Sequence, residues 1–377
     1  MTPWLEPACR LAVFVGPGGV GKTTLSAACG VAAARAGRRV LVLTADPARR
    51  LAGALGLSCD MVDPVPVAIP HAAGSLHACM VVSRRVYDGL LARLLPASAA
   101  AALQAKNRMY DAFSRTLARS HAYAAIERLH RSTHDGDFDL VVLDTPPAEA
   151  TIQILEAPRR LRAFLDGALL RVFGAGRPVG RRLDRIAASG AVRRLGSRIL
   201  GGPLLAETRA FFDVVGRLRE AFVSRTEQVA ALLRSDAARF VLVATPGPTA
   251  LATTIALARD LRRQGLDPRT LLVNRAYAVL DPEHPRRVET SAPPLSAGDL
   301  PPDLADAAVA LRTLRRAAAT QNRAALDRIR ACVAALADVS ETTPPATFLV
   351  PRMDGASHDV EGLAPLADAL TAPVPLR

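Results

Sequence analysis

Short apolar runs alternate with stretches of helical spacing along much of this chain. Leu11–Val15, Val40–Thr44, Leu76–Val81, Leu140–Leu143, Phe240–Ala244, Thr270–Val273 and Thr347–Val350 are the runs. A strand with one wet face alternates apolar and polar residues. A continuous apolar run marks a strand covered on both faces, as in a parallel sheet. Between the runs, Leu25–Ala36 is rich in alanine, and Ala250–Arg263 sets Leu251, Ile255, Leu257 and Leu261 on broadly one side. The order of elements predicts an α/β fold, with a mostly parallel central sheet flanked by helices.

Two stretches are too long to be simple crossovers. In the first, about 84–133, Val86, Leu90 and Leu94 recur at four-residue spacing, as do Met109, Phe113 and Leu117. In the second, about 158–235, Phe211, Val215, Leu218 and Phe222 form a stripe. This spacing predicts a helical subdomain inserted from two segments, over one edge of the sheet. Residues 174–202 are rich in Gly and Arg, and residues 281–304 carry several prolines, so both are expected to be mobile. The whole, residues 1–377, reads as a single domain with insertions.

Composition narrows the function classes. The formal net charge is +13, and nearly all of the positive charge is arginine; Lys22 and Lys106 are the only lysines. The arginines are scattered and aromatics make up 4 % of the chain, so a solvated basic surface is expected and no nucleic-acid partner. Five cysteines, an odd number without a C-x-x-C pair, argue against a disulfide framework and a zinc site. No apolar run approaches the ~20 residues of a membrane span, and the first ten residues do not resemble a signal peptide. A cytoplasmic protein is the expectation.

The chemistry begins at residue 16. Gly16-Pro17-Gly18-Gly19-Val20-Gly21-Lys22-Thr23 fits G-x-x-x-x-G-K-[ST], with an apolar strand before it and a helix pattern after it. Glycines let successive backbone N–H groups turn toward phosphate oxygens, and the helix N-terminus adds partial positive charge. Lys22 is expected at the β- and γ-phosphates, Thr23 at Mg²⁺ and Thr24 toward the α-phosphate. Asp144 ends a buried apolar strand, where an unpaired carboxylate is costly, so it is expected to face the metal. Asp46 ends the second strand, where it can orient an attacking water; Asp before Pro is also a good helix start.

With these elements in order, the sequence resembles the ArsA-like ATPases, which include the arsenite-pump ATPase and the ATPase that targets tail-anchored membrane proteins. "GPGGVGKTT", "TADPARRL", "FDLVVLDTPP" and "EAPRRLRAFLD" carry the resemblance. It implies a P-loop ATPase that hydrolyses ATP with Mg²⁺. It further implies a nucleotide-dependent dimer of like or related subunits, and coupling to a transport, membrane or client-protein partner. The family's roles fall on Lys22, Thr23 and Thr24 at the phosphates, Asp46 in the first switch and Asp144 in the second. "LLVNRA" places Asn274 at adenine, and "FLVPRM" places Pro351 and Arg352 in the loop that closes over the base. Three features depart from the family. Pro17 stands where a lysine usually reaches across the dimer, which leaves an arginine such as Arg49 or Arg50 as a candidate replacement. The cysteines of the metalloid and zinc sites have no equivalent, and the familiar His after the second switch is missing. Two other classes stay open: a slow nucleotide-gated adaptor for a protein partner, and a small-molecule phosphotransferase.

Overall fold

The computed structural model describes residues 2–46, 50–57, 61–83, 85–86, 89, 121–146, 223–276, 302–339, 344–353, 359–371 and 374–376. Nine strands among them form one sheet: β1 (Leu11–Val15), β2 (Arg39–Thr44), β3 (Val65–Val67), β4 (Ser75–Met80), β5 (Leu140–Asp144), β6 (Ala238–Ala244), β7 (Thr270–Ala276), β8 (Ala346–Pro351) and β9 (Val374–Pro375). Their order is β3-β4-β2-β5-β1-β6-β7-β8-β9. The seven inner strands are all parallel, and the two edge strands are antiparallel to their neighbours. β1 lies between β5 and β6 and is buried along its whole length.

The two faces of β1 explain its unbroken apolar run. Leu11, Val13 and Val15 enter one core; Ala12 and Phe14 enter the other. The first core is closed by α3 (His121–His134), a helix over 223–234 (α4), α5 (Pro248–Arg263) and α6 (Pro302–Val339), which contribute Leu129, Val229, Leu257 and Ile329. The second core is closed by α1 (Lys22–Arg35), the short α2 (Arg50–Ala54) and α7 (Val360–Thr371), through Leu25, Leu51 and Leu363. The mostly parallel sheet with flanking helices is thus the expected α/β arrangement. The five central strands, β2, β5, β1, β6 and β7, bury both faces along nearly their whole length, which is why period-2 alternation is absent from them.

Several elements have no counterpart in the sequence reading. α6 runs for 38 residues and begins at Pro302, inside the proline-rich stretch; proline is well suited to a first helical position. α7, β3 and β9 are likewise new. β7 continues past Val273 through an irregularity to Ala276, with Arg275 at φ 56°. α1 starts at Lys22 rather than Leu25.

The ends of the two long stretches meet. Arg225 Nη1 lies 2.6 Å from Glu127 Oε1, and His130 Nε2 lies 2.9 Å from Gln228 Oε1, which ties α4 to α3. The stripes at Leu90, Leu94, Met109, Phe113 and Leu117 and at Phe211 to Phe222 lie outside the described residues. So do residues 174–202 and 281–301. Cys9, Cys29, Cys79 and Cys332 are buried and free, and burial pushes the Cys9 thiol up to about 11. No helix among the described residues is long and apolar enough to cross a membrane.

Candidate functional site

β1 ends at Val15 and α1 begins at Lys22, so residues 16–21 turn at the C-terminal edge of the parallel strands. Two glycines are required there by geometry. A Cβ on Gly16 would come within 2.2 Å of the Val243 carbonyl oxygen at the end of β6. Gly21 has φ 95°, and a Cβ there would come within 2.4 Å of Asn274 Nδ2. Gly21 also caps α1 without any side-chain hydrogen bond, and no acidic residue stands in the first turn. The N–H groups and the partial positive charge of this helix start are therefore left for an anion.

Lys22 is buried, and its Nζ donates to the carbonyl oxygens of Gly16 and Pro17, each at 2.9 Å. Position 17 thus contributes a backbone acceptor and no cation. Burial lowers the Lys22 pKa, while Asp144 and Asp46 pull it back up. Asp144 is fully buried at the end of β5. Its Oδ2 accepts from Thr23 Oγ1 and Thr44 Oγ1, both at 2.9 Å, whereas its Oδ1 has no hydrogen-bond partner among the described residues. Burial pushes its carboxyl up to about 6, against the opposing pull of Thr23, Thr44 and Lys22. A buried carboxylate oxygen without a donor is costly. Beside the Thr23 hydroxyl it suits a hard divalent cation, which takes oxygen ligands. The residues present therefore fit Mg²⁺. Among the described residues no group of three or more His, Cys, Asp and Glu could hold a metal, so the other ligands of such an ion would be phosphate and water oxygens.

Asp46 is joined to this cluster through the backbone. Its N–H donates to Thr44 Oγ1 at 3.1 Å, and the same hydroxyl donates to Asp144. A single threonine therefore bridges the ends of β2 and β5. The Asp46 carboxylate also pairs with the exposed Arg50 at 3.7 Å. Pro47, Ala48 and Arg49 lie outside the described residues. Thr145 Oγ1 donates to the Phe14 carbonyl at 2.7 Å and ties β5 to β1.

A cleft of about 430 Å³ opens over these groups. It brings together Gly18, Gly19, Gly21, Lys22, Thr23, Thr24, Asp46 and Arg50, which the sequence singled out, with Thr145 and Arg275. Gly16 and Val20 lie beneath the loop, buried. Asn274 does not line the cleft. Its Nδ2 donates to the Val20 carbonyl at 2.8 Å, and its Oδ1 accepts from the Arg275 N–H at 2.9 Å. Asn274 is thus a strut between β7 and the loop, with one donor and one acceptor position left over. Pro351 pairs with Ala276 at the end of β8, and the Arg352 N–H donates to the Ala276 carbonyl at 2.7 Å. Both stand outside the cleft; Arg352 lines the cavity beside it. Sequence reading missed Thr44, Thr145 and Arg275. For Thr44 a signal existed, a hydroxyl two residues before Asp46 at a buried strand end. Arg275 offered only its place after Asn274.

Comparison with known proteins identifies a family. The family model for the anion-transporting ATPases (ArsA_ATPase) matches residues 9–289. An uncharacterized protein of Streptomyces coelicolor, SCO2128, is 30% identical over 279 residues, which cover 71% of this chain and 62% of that protein. A putative arsenical pump-driving ATPase of Halobacterium salinarum is 28% identical over 194 residues, 47% of this chain and 28% of that protein. The ATPase GET3 of Eremothecium gossypii is 27% identical over 294 residues, 72% of this chain and 74% of that protein. The chain thus spans less than two thirds of the length of the first two of these relatives.

Proposed function

We propose, from the premise that the chain belongs to the anion-transporting ATPase family, that it hydrolyses ATP in the cleft over the phosphate loop. The observation that carries the reading is the convergence of Lys22, Thr23 and the half-unsatisfied Asp144 at one uncapped helix start. The loop N–H groups and Lys22 would hold the β- and γ-phosphates, with Lys22 releasing the carbonyls of Gly16 and Pro17 to do so. Thr23 and Asp144 would hold Mg²⁺, which supplies charge neutralisation at the phosphates. Asp46 would orient water for in-line attack. The water oxygen bonds to the γ-phosphorus as the bond to the β–γ bridging oxygen breaks, giving ADP and phosphate.

Thr44 gives the site a means of reporting its state. Because its hydroxyl joins Asp46 to Asp144, a change at either carboxylate reaches both strand ends. The reading extends to a cytoplasmic, nucleotide-dependent dimer whose helical subdomain moves with nucleotide state and serves a transport or protein-targeting partner. The reading sets the base toward Asn274, Pro351 and Arg352, with Asn274 offering it only its spare donor and acceptor. Pro17 cannot reach into a partner, so any cationic help comes from arginines such as Arg50 and Arg275, both at the cleft.

The deciding test separates binding from chemistry. Asp46→Asn should bind Mg-ATP with affinity close to wild type and hydrolyse it about a hundredfold more slowly. Full turnover by Asp46→Asn would remove Asp46 from the role given to it.

A further inference from the structure

Thr44 is the last residue of β2, and its register partner in the neighbouring strand is Asp144, the last residue of β5. Register partners stand on the same face of a sheet, so the hydroxyl meets the carboxylate. The backbone is tied on both sides without that hydroxyl. The Thr44 carbonyl accepts from the Val81 N–H at 2.9 Å, and the Ala45 N–H donates to the Asp144 carbonyl at 3.1 Å. Strand pairing therefore does not depend on the Thr44 side chain.

The chemistry of its two partners assigns every bond. A hydroxyl gives one proton and accepts with its lone pairs. A carboxylate oxygen only accepts, so the proton points to Asp144 Oδ2, at 2.9 Å. A backbone N–H only donates, so a lone pair takes the Asp46 N–H, at 3.1 Å. Thr44 is 1% exposed, so water does not compete for either bond. A bond from a threonine hydroxyl to the N–H two residues on fixes the turn between them. Here that turn carries Asp46.

Asp144 Oδ2 receives two hydroxyls from different elements, Thr44 from β2 and Thr23 from the start of α1. One hydrogen bond leaves a carboxyl group able to rotate about its Cβ–Cγ bond. Two donors on one oxygen set that rotation, and with it the direction of Oδ1. The neighbouring Thr145 is used differently: its hydroxyl donates to the Phe14 carbonyl and ties strand to strand. The Thr44 hydroxyl joins two residues to which the site gives different tasks.

We propose that Thr44 is a positioning residue, whose hydroxyl sets the metal-facing oxygen of Asp144 and the water-orienting Asp46 in one fixed relation. Metal binding and water attack are then aligned together. This role rests on the ATPase reading.

The test compares Thr44→Val, which keeps the branched shape and removes both bonds, with Thr44→Ser, which keeps the hydroxyl. Thr44→Ala removes the same bonds and replaces the valine variant should that one not fold. ADP is titrated calorimetrically into the full chain with Mg²⁺ and again with excess chelator. In Thr44→Val the affinity in chelator should match wild type, while the gain from Mg²⁺ should fall about tenfold. At saturating Mg²⁺ the valine variant should lose about tenfold in kcat with KM for ATP little changed. Thr44→Ser should restore both. A purely structural role would lower affinity in chelator as well. An unchanged Mg²⁺ gain or an unchanged kcat in Thr44→Val, or a serine variant as impaired as valine, overturns the proposal. No Mg²⁺ gain in wild type overturns it too. Failure of the ATPase reading has a different signature: no ATP turnover by wild type, with the Mg²⁺ gain present and still lost in Thr44→Val.

Discussion

At Lys22 and Asp144 the charge is buried and nearly every polar contact is assigned: the ammonium lies on two loop carbonyls, and one carboxylate oxygen on two threonines. At Arg275, Arg328 and Arg352, along the same sheet edge, the charge is exposed and mostly uncommitted. The first group is preorganised. Its members cost free energy to bury, and on the proposed reading phosphate and metal would offset that cost, so deleting one would remove both a ligand contact and a partner for the rest. The second group is a field of like charge whose members are separately replaceable. Mutations on the two sides should therefore differ in size as well as in kind.

The largest effect belongs to Lys22. Lys22→Ala should lower ATP turnover by at least about a hundredfold, as loss of a single preorganised charge-stabilising donor does; phosphate release measures it. If Lys22→Ala cost no more than Arg328→Gln, the contrast between the two sides would collapse.

Asp144 comes next, with a pH signature. Its carboxyl is raised from 3.8 to about 6 in the folded chain, so the folded state holds the proton more tightly than the unfolded state does. The stability contributed by the protonated form is complete below about pH 4 and is lost as pH rises toward 6. The loss is on the order of 3 kcal/mol. Asp144→Asn should lack that decline in denaturant unfolding of the nucleotide-free protein, yet bind Mg-ATP at least about tenfold more weakly. Equal pH profiles for the two proteins would show that Asp144 is not the strained group.

The glycines sharpen the comparison within the loop. Gly21→Ala must hold a side chain at φ 95° and displace Asn274 Nδ2, so it should cost about 1–2 kcal/mol or more. A Cβ on Gly18 meets no atom within 4 Å, so Gly18→Ala should leave the melting temperature of the nucleotide-free protein unchanged. The smallest effect is expected of Arg50→Ala. The Arg50 side chain is 66% exposed and its pair with Asp46 spans 3.7 Å, so its loss should change stability by less than about 1 kcal/mol.

What could be read beforehand follows the same division. β1 and β5 were legible because burial on both faces leaves an unbroken apolar run. The phosphate loop was legible because glycine spacing is imposed by the backbone: Gly16 and Gly21, which fix the motif, are the two whose Cβ atoms would collide with neighbouring strands. The edges were not legible. β3 is three residues long and contains Pro66, and β9 has two residues; neither is long enough to show a period. The α6 helix, rich in Ala and Arg, carries no compact apolar stripe in its first half, where the described side chains up to Gln321 are exposed. The sequence put Asn274 at a strand end, whereas β7 runs on to Ala276. The direction of the Asn274 amide, toward Val20, depends on a contact 254 positions away in sequence, and no local pattern carries that information.

The central claim is that the cleft over residues 16–24 turns over ATP with Mg²⁺ held at Thr23 and Asp144. The most direct measurement is phosphate release from ATP by the wild-type chain, with Mg²⁺ and again with excess chelator. Steady release with Mg²⁺ that stops on chelation is the predicted result. No release with Mg²⁺, or the same release in chelator, would contradict it.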